Sequence, residues 1–137
     1  MERTFAIIKP DAVSAGHTGA ILQRIEETGF SVCGMRLVRM TKSEAEGFYE
    51  VHRERPFFDA LTTFMSSGPA IVLALQAHDA IIRWRTVMGA TDPAKADEGT
   101  LRRRFGTSIE RNATHGSDAS ETAALELSYF FRGVELG

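Results

Sequence analysis

The chain has 137 residues, of which 43% are hydrophobic and 25% are charged, and its formal net charge is −2. This length suits a single domain spanning 1–137, and the apolar content excludes a disordered chain because it is enough to build one core. No apolar run approaches the roughly 20 residues that cross a bilayer, so we expect no membrane partner. The single cysteine, Cys33, and an opening stretch without the apolar core of a secretory signal predict a cytoplasmic protein.

The first half of the chain alternates between strand and helix patterns. Apolar runs of β-type residues that end at charged or glycine positions predict strands, and apolar stripes at helical spacing predict helices. In chain order we predict a strand at 4–8, a helix at 18–28 that Gly29 ends, a strand at 31–40, a helix from Thr41 with Glu44 completing a capping box, and a helix from Phe57 to Met65 after the break at Pro56.

The second half begins with the most apolar stretch of the sequence, which predicts a strand buried on both faces in the middle of a sheet. Residues 89–113 show no sustained period and are interrupted by glycine and proline, so they are predicted to form a long loop. The predicted elements are a central strand at 70–75, a helix at 81–88, the loop at 89–113, a short edge strand at 111–116, and a last helix that Ser117 and Asp118 cap and Gly133 ends.

This order of elements predicts the fold class. An α/β (α+β) sandwich in which helices cover a four-stranded, mainly antiparallel sheet accommodates it, and the ferredoxin-like βαββαβ plan is the simplest match.

The predicted loop carries an unusual concentration of arginines, at positions 102, 103 and 104, with Arg111 close by. Such a run is often only a solvated face, and the alternative is a surface that binds anions. Because loops longer than about 12 to 15 residues are usually functional or disordered, the position of these arginines favours anion binding.

One histidine stands out as a candidate for covalent chemistry. His115 precedes a predicted helix, and Gly116 beside it leaves room for a ligand. A neutral imidazole keeps a lone pair on one ring nitrogen, which makes it a good phosphoryl acceptor. Glu126 on the following helix is a candidate to accept the proton of the other nitrogen, with Ser117 orienting the carboxylate. On spacing alone, a turn histidine beside a solvated glutamate is the more common explanation of the pattern.

Six segments taken together resemble the nucleoside diphosphate kinase family in their order and spacing, and the resemblance covers nearly the whole chain. The segment around the histidine is the most specific of them. The six segments are Ile8-Lys9-Pro10-Asp11, Arg55-Pro56-Phe57-Phe58, Ser67-Gly68-Pro69, Met88-Gly89-Ala90-Thr91-Asp92-Pro93, Gly99-Thr100-Leu101-Arg102 and Asn112-Ala113-Thr114-His115-Gly116-Ser117-Asp118.

The resemblance implies a ping-pong reaction in which a nucleoside triphosphate, mainly ATP, phosphorylates His115 and an acceptor diphosphate then collects the phosphoryl group. It implies Mg²⁺ as the cofactor, held mainly by the nucleotide phosphates. As catalytic residues it implies His115, Glu126, Ser117 and Lys9. The residues expected to surround the phosphates and sugar are Lys9, Tyr49, Arg85, Thr91, Arg102 and Asn112, and Phe57 is expected to stack on the base.

Chemistry alone leaves several of these assignments open. Phe57 could belong to the core, Lys9 and Arg85 could be surface charges, and Thr91 could merely begin a turn. Three consecutive arginines could equally contact phosphate, and only counting from Gly99 and Thr100 favours the first of them, Arg102.

The resemblance also implies a homo-oligomer of unspecified size, with the loop at 89–113 serving both the active site and the subunit contacts. The partners are then nucleoside di- and triphosphates, and nucleic acid is not expected as the main one. The alternative function is a nucleotide- or nucleic-acid-binding module on the same fold, in which His115 has no chemical role.

Overall fold

A four-stranded sheet with the strand order β2-β3-β1-β4 organises the fold in the computed structural model, which describes residues 1–136. All three strand pairings are antiparallel, so the prediction of an antiparallel sheet covered by helices is confirmed. The strands are β1 (Glu2–Ile8), β2 (Ser31–Val38), β3 (Ala70–Ala77) and β4 (Thr114–Gly116).

Eight helices accompany the sheet within the described residues. None of the helices in residues 1–136 has the length and apolar character needed to cross a membrane. They are α1 (Pro10–Ser14), α2 (Thr18–Glu27), α3 (Lys42–Phe48), α4 (Phe58–Met65), α5 (Ala80–Met88), α6 (Leu101–Phe105), α7 (Ser120–Phe130) and α8 (Gly133–Leu136), with short 3₁₀ turns at Glu50–His52 and Pro93–Lys95.

The central strand β1 is apolar on both faces because helices cover both sides of the sheet. Its side chains alternate between the two layers, with Phe5 and Ile7 in one core cluster and Ala6 and Ile8 in the other. Helices α1, α2 and α5 contribute to the Ala6 cluster, and α3, α4 and α7 contribute to the Phe5 cluster. The strand therefore ends at Ile8, directly before Lys9, with a packed apolar layer on either side.

Helix α3 begins as its capping box predicts. The Thr41 hydroxyl accepts the backbone N–H of Glu44 at 3.0 Å, and the Glu44 carboxylate accepts the backbone N–H of Thr41 at 2.9 Å. The helix ends at Phe48, however, and the 3₁₀ turn follows it, so the predicted helical stripe does not continue to Pro56 as one helix.

The segment at 89–113 is more regular than predicted. It contains a 3₁₀ turn and α6, a five-residue helix whose N-cap Thr100 accepts the backbone N–H of Arg103 at 3.3 Å. Sequence reasoning missed both α6 and α1, because each has five residues and five are too few for a helical period to show. Strand β4 is also shorter than the predicted 111–116.

The prediction for the ends of the last helix was wrong. Helix α7 begins at Ser120 with Ala119 as its N-cap, and the Ala119 N–H donates to the Thr122 hydroxyl at 3.0 Å. Ser117 lies outside the helix, and its hydroxyl donates to the Glu126 carboxylate. The helix ends at Phe130, and Gly133 begins α8 instead of ending α7.

Strand β4 is held between β1 and α5. His115 pairs with Ile7 across the sheet, and its carbonyl oxygen accepts the indole N–H of Trp84 at 3.2 Å. Gly116 permits this close approach, since a Cβ there would lie 2.5 Å from Trp84 Cδ1 and 2.6 Å from Met88 Cε. A larger residue would push the helix away from the strand that carries His115.

We therefore expect Gly116→Ala to lower the free energy of unfolding by about 1–3 kcal/mol, because the added methyl must displace two buried side chains. Urea denaturation followed by the fluorescence of Trp84, the chain's single tryptophan, measures this change. Gly19→Ala in α2 is the matched control, since a Cβ there meets nothing within 4 Å. Equal losses in the two variants would contradict this account of the strand–helix contact.

Candidate active site

A cavity of about 390 Å³ opens beside the end of β1 and the start of β4. Seven residues predicted from the sequence line it, together with four that were not predicted. The predicted residues are Lys9, Tyr49, Phe57, Thr91, Arg102, Asn112 and His115, and the others are Leu61, Ile109, Glu110 and Thr114.

A hydrogen-bonded chain of three side chains orients the histidine. His115 Nε2 lies 3.1 Å from Glu126 Oε1, and the Ser117 hydroxyl donates to the same oxygen at 2.6 Å. The carboxylate therefore favours a proton on Nε2. The other ring nitrogen, Nδ1, has no hydrogen-bond partner within residues 1–136, so its lone pair is free.

Aromatic rings hold the imidazole from the sides. Phe5, Phe48 and Tyr49 all meet the His115 ring edge-on, with centroids 6.1, 5.6 and 6.2 Å away. The His115 side chain keeps 21% of its surface exposed, against 19% for Glu126. The ring is thus fixed in orientation while one edge stays open to the cavity.

Lys9 is buried although it is charged. Its ammonium donates to the carbonyl oxygen of Glu110 and to Asn112 Oδ1, both at 2.8 Å, and the Asn112 amide donates to the carbonyl oxygen of Thr91 at 3.0 Å. Burial is the main cause that lowers the pKa of Lys9 to about 8, and nearby Arg102 acts in the same direction. The carboxylate of Asp11 raises this pKa, and that of Glu110 does so less.

Of the three consecutive arginines, Arg102 alone lines the cavity. Its guanidinium donates to the carbonyl oxygens of Gly89 at 3.1 Å and Thr114 at 2.9 Å, and burial, followed by repulsion from Arg85, lowers its pKa to about 10. The other two point elsewhere. Arg103 donates to the carbonyl oxygen of Ala94 at 3.1 Å, and the Arg104 guanidinium lies 4.7 Å from the centre of the Phe105 ring.

Arg85 does not line this cavity but a neighbouring cleft of about 510 Å³. Thr91 and Arg102 line both spaces, so the cleft and the cavity adjoin. Arg85 is exposed and carries no hydrogen bond or ion pair within residues 1–136. Its guanidinium is therefore available to an anion that extends from the cavity into the cleft.

Two exposed apolar side chains are part of the cavity lining. Phe57 is 48% exposed and Ile109 is 61% exposed. Sequence reasoning missed Ile109, although an isolated apolar residue in the polar segment 107–112 is a signal that could have found it. Tyr49 is buried by contrast, and burial raises the pKa of its phenol, which keeps the hydroxyl protonated and able to donate.

Ala113, a residue in the left-handed backbone conformation, links the segment that carries His115 to the segment that carries Lys9. Ala113 is buried with φ of 73°, a conformation that costs a residue with a Cβ about 1 kcal/mol or more. Its N–H donates to Asp11 Oδ2 at 3.0 Å, and its carbonyl oxygen accepts the backbone N–H of Lys9 at 2.8 Å. This left-handed conformation lies between Asn112 and His115, and the side chains of both residues line the cavity.

The cavity suits an anionic ligand. Lys9 and Arg102 supply positive charge, and Asn112, Thr91 and Tyr49 supply neutral polar groups. Within residues 1–136 no group of three or more His, Cys, Asp or Glu side chains is placed to hold a metal ion.

Comparison with known proteins shows the family to which the chain belongs. The profile of the nucleoside diphosphate kinase family matches residues 2–136. The nucleoside diphosphate kinase of Desulfotalea psychrophila is 61% identical to the chain, and that of Geotalea uraniireducens is 59% identical; each match covers 99% of both sequences.

Solved structures of the same family superpose closely. The nucleoside diphosphate kinase of Aquifex aeolicus has a TM-score of 0.97 at 43% identity and covers 99% of both chains. The halophilic enzyme of Halobacterium salinarum, determined in complex with CDP, has a TM-score of 0.95 at 37% identity and covers 99% of this chain and 91% of its own.

The hydrogen bond to Glu126 predicts the tautomer of the neutral imidazole. We expect His115 to carry its proton on Nε2, and we expect Glu126→Ala to populate both tautomers because the carboxylate no longer selects one. Two-bond ¹H–¹⁵N spectra distinguish the nitrogens, and exposed His78 is an internal control whose signals should not change. A proton on Nδ1 in the wild-type protein would show that the carboxylate does not orient the ring.

Proposed function

Because the chain belongs to the nucleoside diphosphate kinase family, we propose that it transfers the γ-phosphoryl group of a nucleoside triphosphate, mainly ATP, to nucleoside diphosphates through a phosphohistidine at His115. The observation that carries this mechanism is the free Nδ1 of an imidazole whose Nε2 is held by Glu126. Family membership makes the protein a nucleotide-binding phosphotransferase. The two half-reactions and the residue roles are the proposal.

In the first half-reaction, the Nδ1 lone pair forms the bond to the γ-phosphorus as the bond from phosphorus to the β-phosphate oxygen breaks. The diphosphate leaves with that electron pair. Positive charge develops on the ring, and the Glu126 carboxylate at Nε2 stabilises it while Ser117 keeps the carboxylate in place. In the second half-reaction a different diphosphate attacks the phosphohistidine, and the same groups act in reverse.

Positioning and charge neutralisation supply most of the catalysis in phosphoryl transfer. Lys9 and Arg102 lie in the cavity beside His115, where they neutralise the phosphate oxygens, and Arg85 extends this positive surface into the adjoining cleft. Thr91 and Asn112 line the same cavity and are proposed to bind phosphate and sugar hydroxyl groups. Tyr49 holds the histidine ring and keeps a protonated hydroxyl at the cavity wall.

The base is proposed to bind at the exposed apolar part of the cavity. Phe57 offers a ring face for stacking, and Ile109 offers a second apolar contact. Stacking does not select among bases, because every base has a π-face. Broad acceptor specificity follows from this arrangement.

Mg²⁺ is proposed to arrive with the nucleotide. Among the described residues, Glu110 is the one carboxylate that lines the cavity and no carboxylate cluster is present, which fits an ion whose ligands are phosphate oxygens and water. When bound, the ion neutralises charge between the β- and γ-phosphates. No side chain of the cavity is assigned to it.

The proposal predicts that His115→Ala abolishes phosphoryl transfer and leaves diphosphate binding largely intact, because the imidazole bonds to phosphorus and does not hold the base or sugar. Incubation with γ-labelled ATP should give wild-type protein an acid-labile, alkali-stable label that the variant lacks. His78→Ala, at an exposed position, is the control and should keep the label.

Retained turnover above a few per cent in His115→Ala would overturn the phosphohistidine. An unlabelled wild-type protein that still binds nucleotide would favour a binding module instead.

We also propose that the protein is a homo-oligomer. Strand β2 is an edge of the sheet, pairing with β3 alone, and Met35 and Leu37 on it are 53% and 66% exposed. An unpaired edge with apolar side chains is a surface that a second copy can cover. The segment 89–113 remains a predicted second contact, and a cytoplasmic location remains a prediction from the sequence.

We expect Leu37→Lys to reduce the assembly size, because it places a charge on the β2 surface that a second copy would bury. Light scattering at matched protein concentration measures the change. Val134→Lys, at an 85% exposed apolar position outside β2, is the control and should keep the wild-type size. A wild-type protein of 15.1 kDa in solution would contradict the proposal.

A further inference from the structure

We propose that Asp11 is a positioning residue for phosphoryl transfer: one carboxylate oxygen holds Ala113 in its left-handed conformation, and the carboxylate is the counter-charge that keeps Lys9 an ammonium. Neither the sequence motifs nor the reaction scheme assigns this residue a role. The inference rests on the proposed function, because it explains how the cation beside His115 stays charged.

Asp11 contacts the backbone at its left-handed residue. Ala113 has φ of 73°, and its buried N–H finds its acceptor in Asp11 Oδ2 at 3.0 Å. Without that carboxylate the N–H is buried without a partner in a conformation that is already unfavourable. Residues on both sides of Ala113 line the cavity, so a relaxed backbone moves Asn112 and His115 together.

The groups that act on the Lys9 ammonium come from four parts of the chain. They are Asp11 from α1, Arg102 from α6, Phe64 from α4 with its ring centre 5.5 Å away, and Glu110 with Asn112 from the segment before β4. The hydrogen bonds to Lys9 come from a backbone carbonyl and an amide, both neutral. Within residues 1–136, the carboxylates that act on Lys9 are those of Asp11 and Glu110.

Of these two carboxylates, that of Asp11 raises the pKa of Lys9 more. The second oxygen of Asp11, Oδ1, is buried and has no hydrogen-bond partner within residues 1–136, so the Ala113 N–H at Oδ2 is the donor that this carboxylate has there. Glu110 is exposed to solvent, where water screens its carboxylate. Lys9 already has its pKa lowered to about 8 by burial, so losing Asp11 would bring its deprotonation into the neutral range.

Loss of the Asp11 charge is expected to change how activity depends on pH. Lys9 assists transfer as an ammonium, so activity is present below its pKa and is lost as the pH rises through it. Removing a negative charge lowers that pKa further. The alkaline limb of the pH profile must then move to lower pH.

The test compares Ala113→Gly with the double variant Ala113→Gly/Asp11→Asn. Glycine adopts the left-handed conformation without strain, and the amide oxygen that Asp11→Asn introduces can still accept the backbone N–H of position 113, so the pair isolates the charge. The measurement is the rate constant for His115 phosphorylation divided by the dissociation constant of ATP, from pH 6 to 10. Glu110→Gln in the wild-type background is the matched control for loss of the weaker carboxylate.

We expect the alkaline limb of the double variant to lie about one pH unit below that of Ala113→Gly, as for loss of a nearby opposite charge. Glu110→Gln should shift the wild-type limb by less. Identical limbs for the paired variants, or an equal shift in Glu110→Gln, would overturn the counter-charge.

The backbone role has a separate readout at pH 6.5, where Lys9 remains charged. Asp11→Ala should slow phosphorylation at least about tenfold in the wild-type background, since small displacements of reacting groups have large effects on rate. The same substitution in the Ala113→Gly background should slow it clearly less. Equal losses in both backgrounds would overturn this role, and an unlabelled wild-type protein would overturn the proposed function itself.

Discussion

The burial of one ammonium group is the constraint on which the candidate site depends. Lys9 is 6% exposed at the end of the central strand β1, where an unpaired charge would cost several kcal/mol. Hydrogen bonds to Glu110 and Asn112 make this placement possible, and they tie the end of β1 to a segment about 100 residues later. The cavity exists where those two parts of the chain are held together.

Near Lys9, the cavity combines a side chain that is held on several sides with side chains that are exposed. His115 is fixed by the pairing of β4 with β1, by the indole of Trp84 and by the Glu126 carboxylate. The side chains that reach outward, Phe57 and Ile109, are exposed and lie outside the sheet. In the proposed reaction, a fixed His115 ring beside a more open binding surface suits the transfer of one phosphoryl group among several nucleotides.

Local sequence patterns were sufficient for most of the architecture. The apolar runs of β1 and β3 and the capping box at Thr41 predicted their elements because each signal lies within a few neighbouring residues. They failed for the five-residue helices α1 and α6, which are shorter than two helical turns. The cap prediction for Ser117 was wrong, since α7 begins at Ser120, whereas the predicted contact of Ser117 with the Glu126 carboxylate is present.

The sequence by itself therefore determined the family, the sheet-and-helix class and the identity of most candidate site residues, because these are encoded in apolar periodicity and in short segments. Only the tertiary structure decided that Arg102 alone of its run lines the cavity, that Arg85 lies in the adjoining cleft and that Asp11 meets Ala113. Contacts between residues some 100 positions apart depend on how strands pair and helices pack, and no local pattern contains that information.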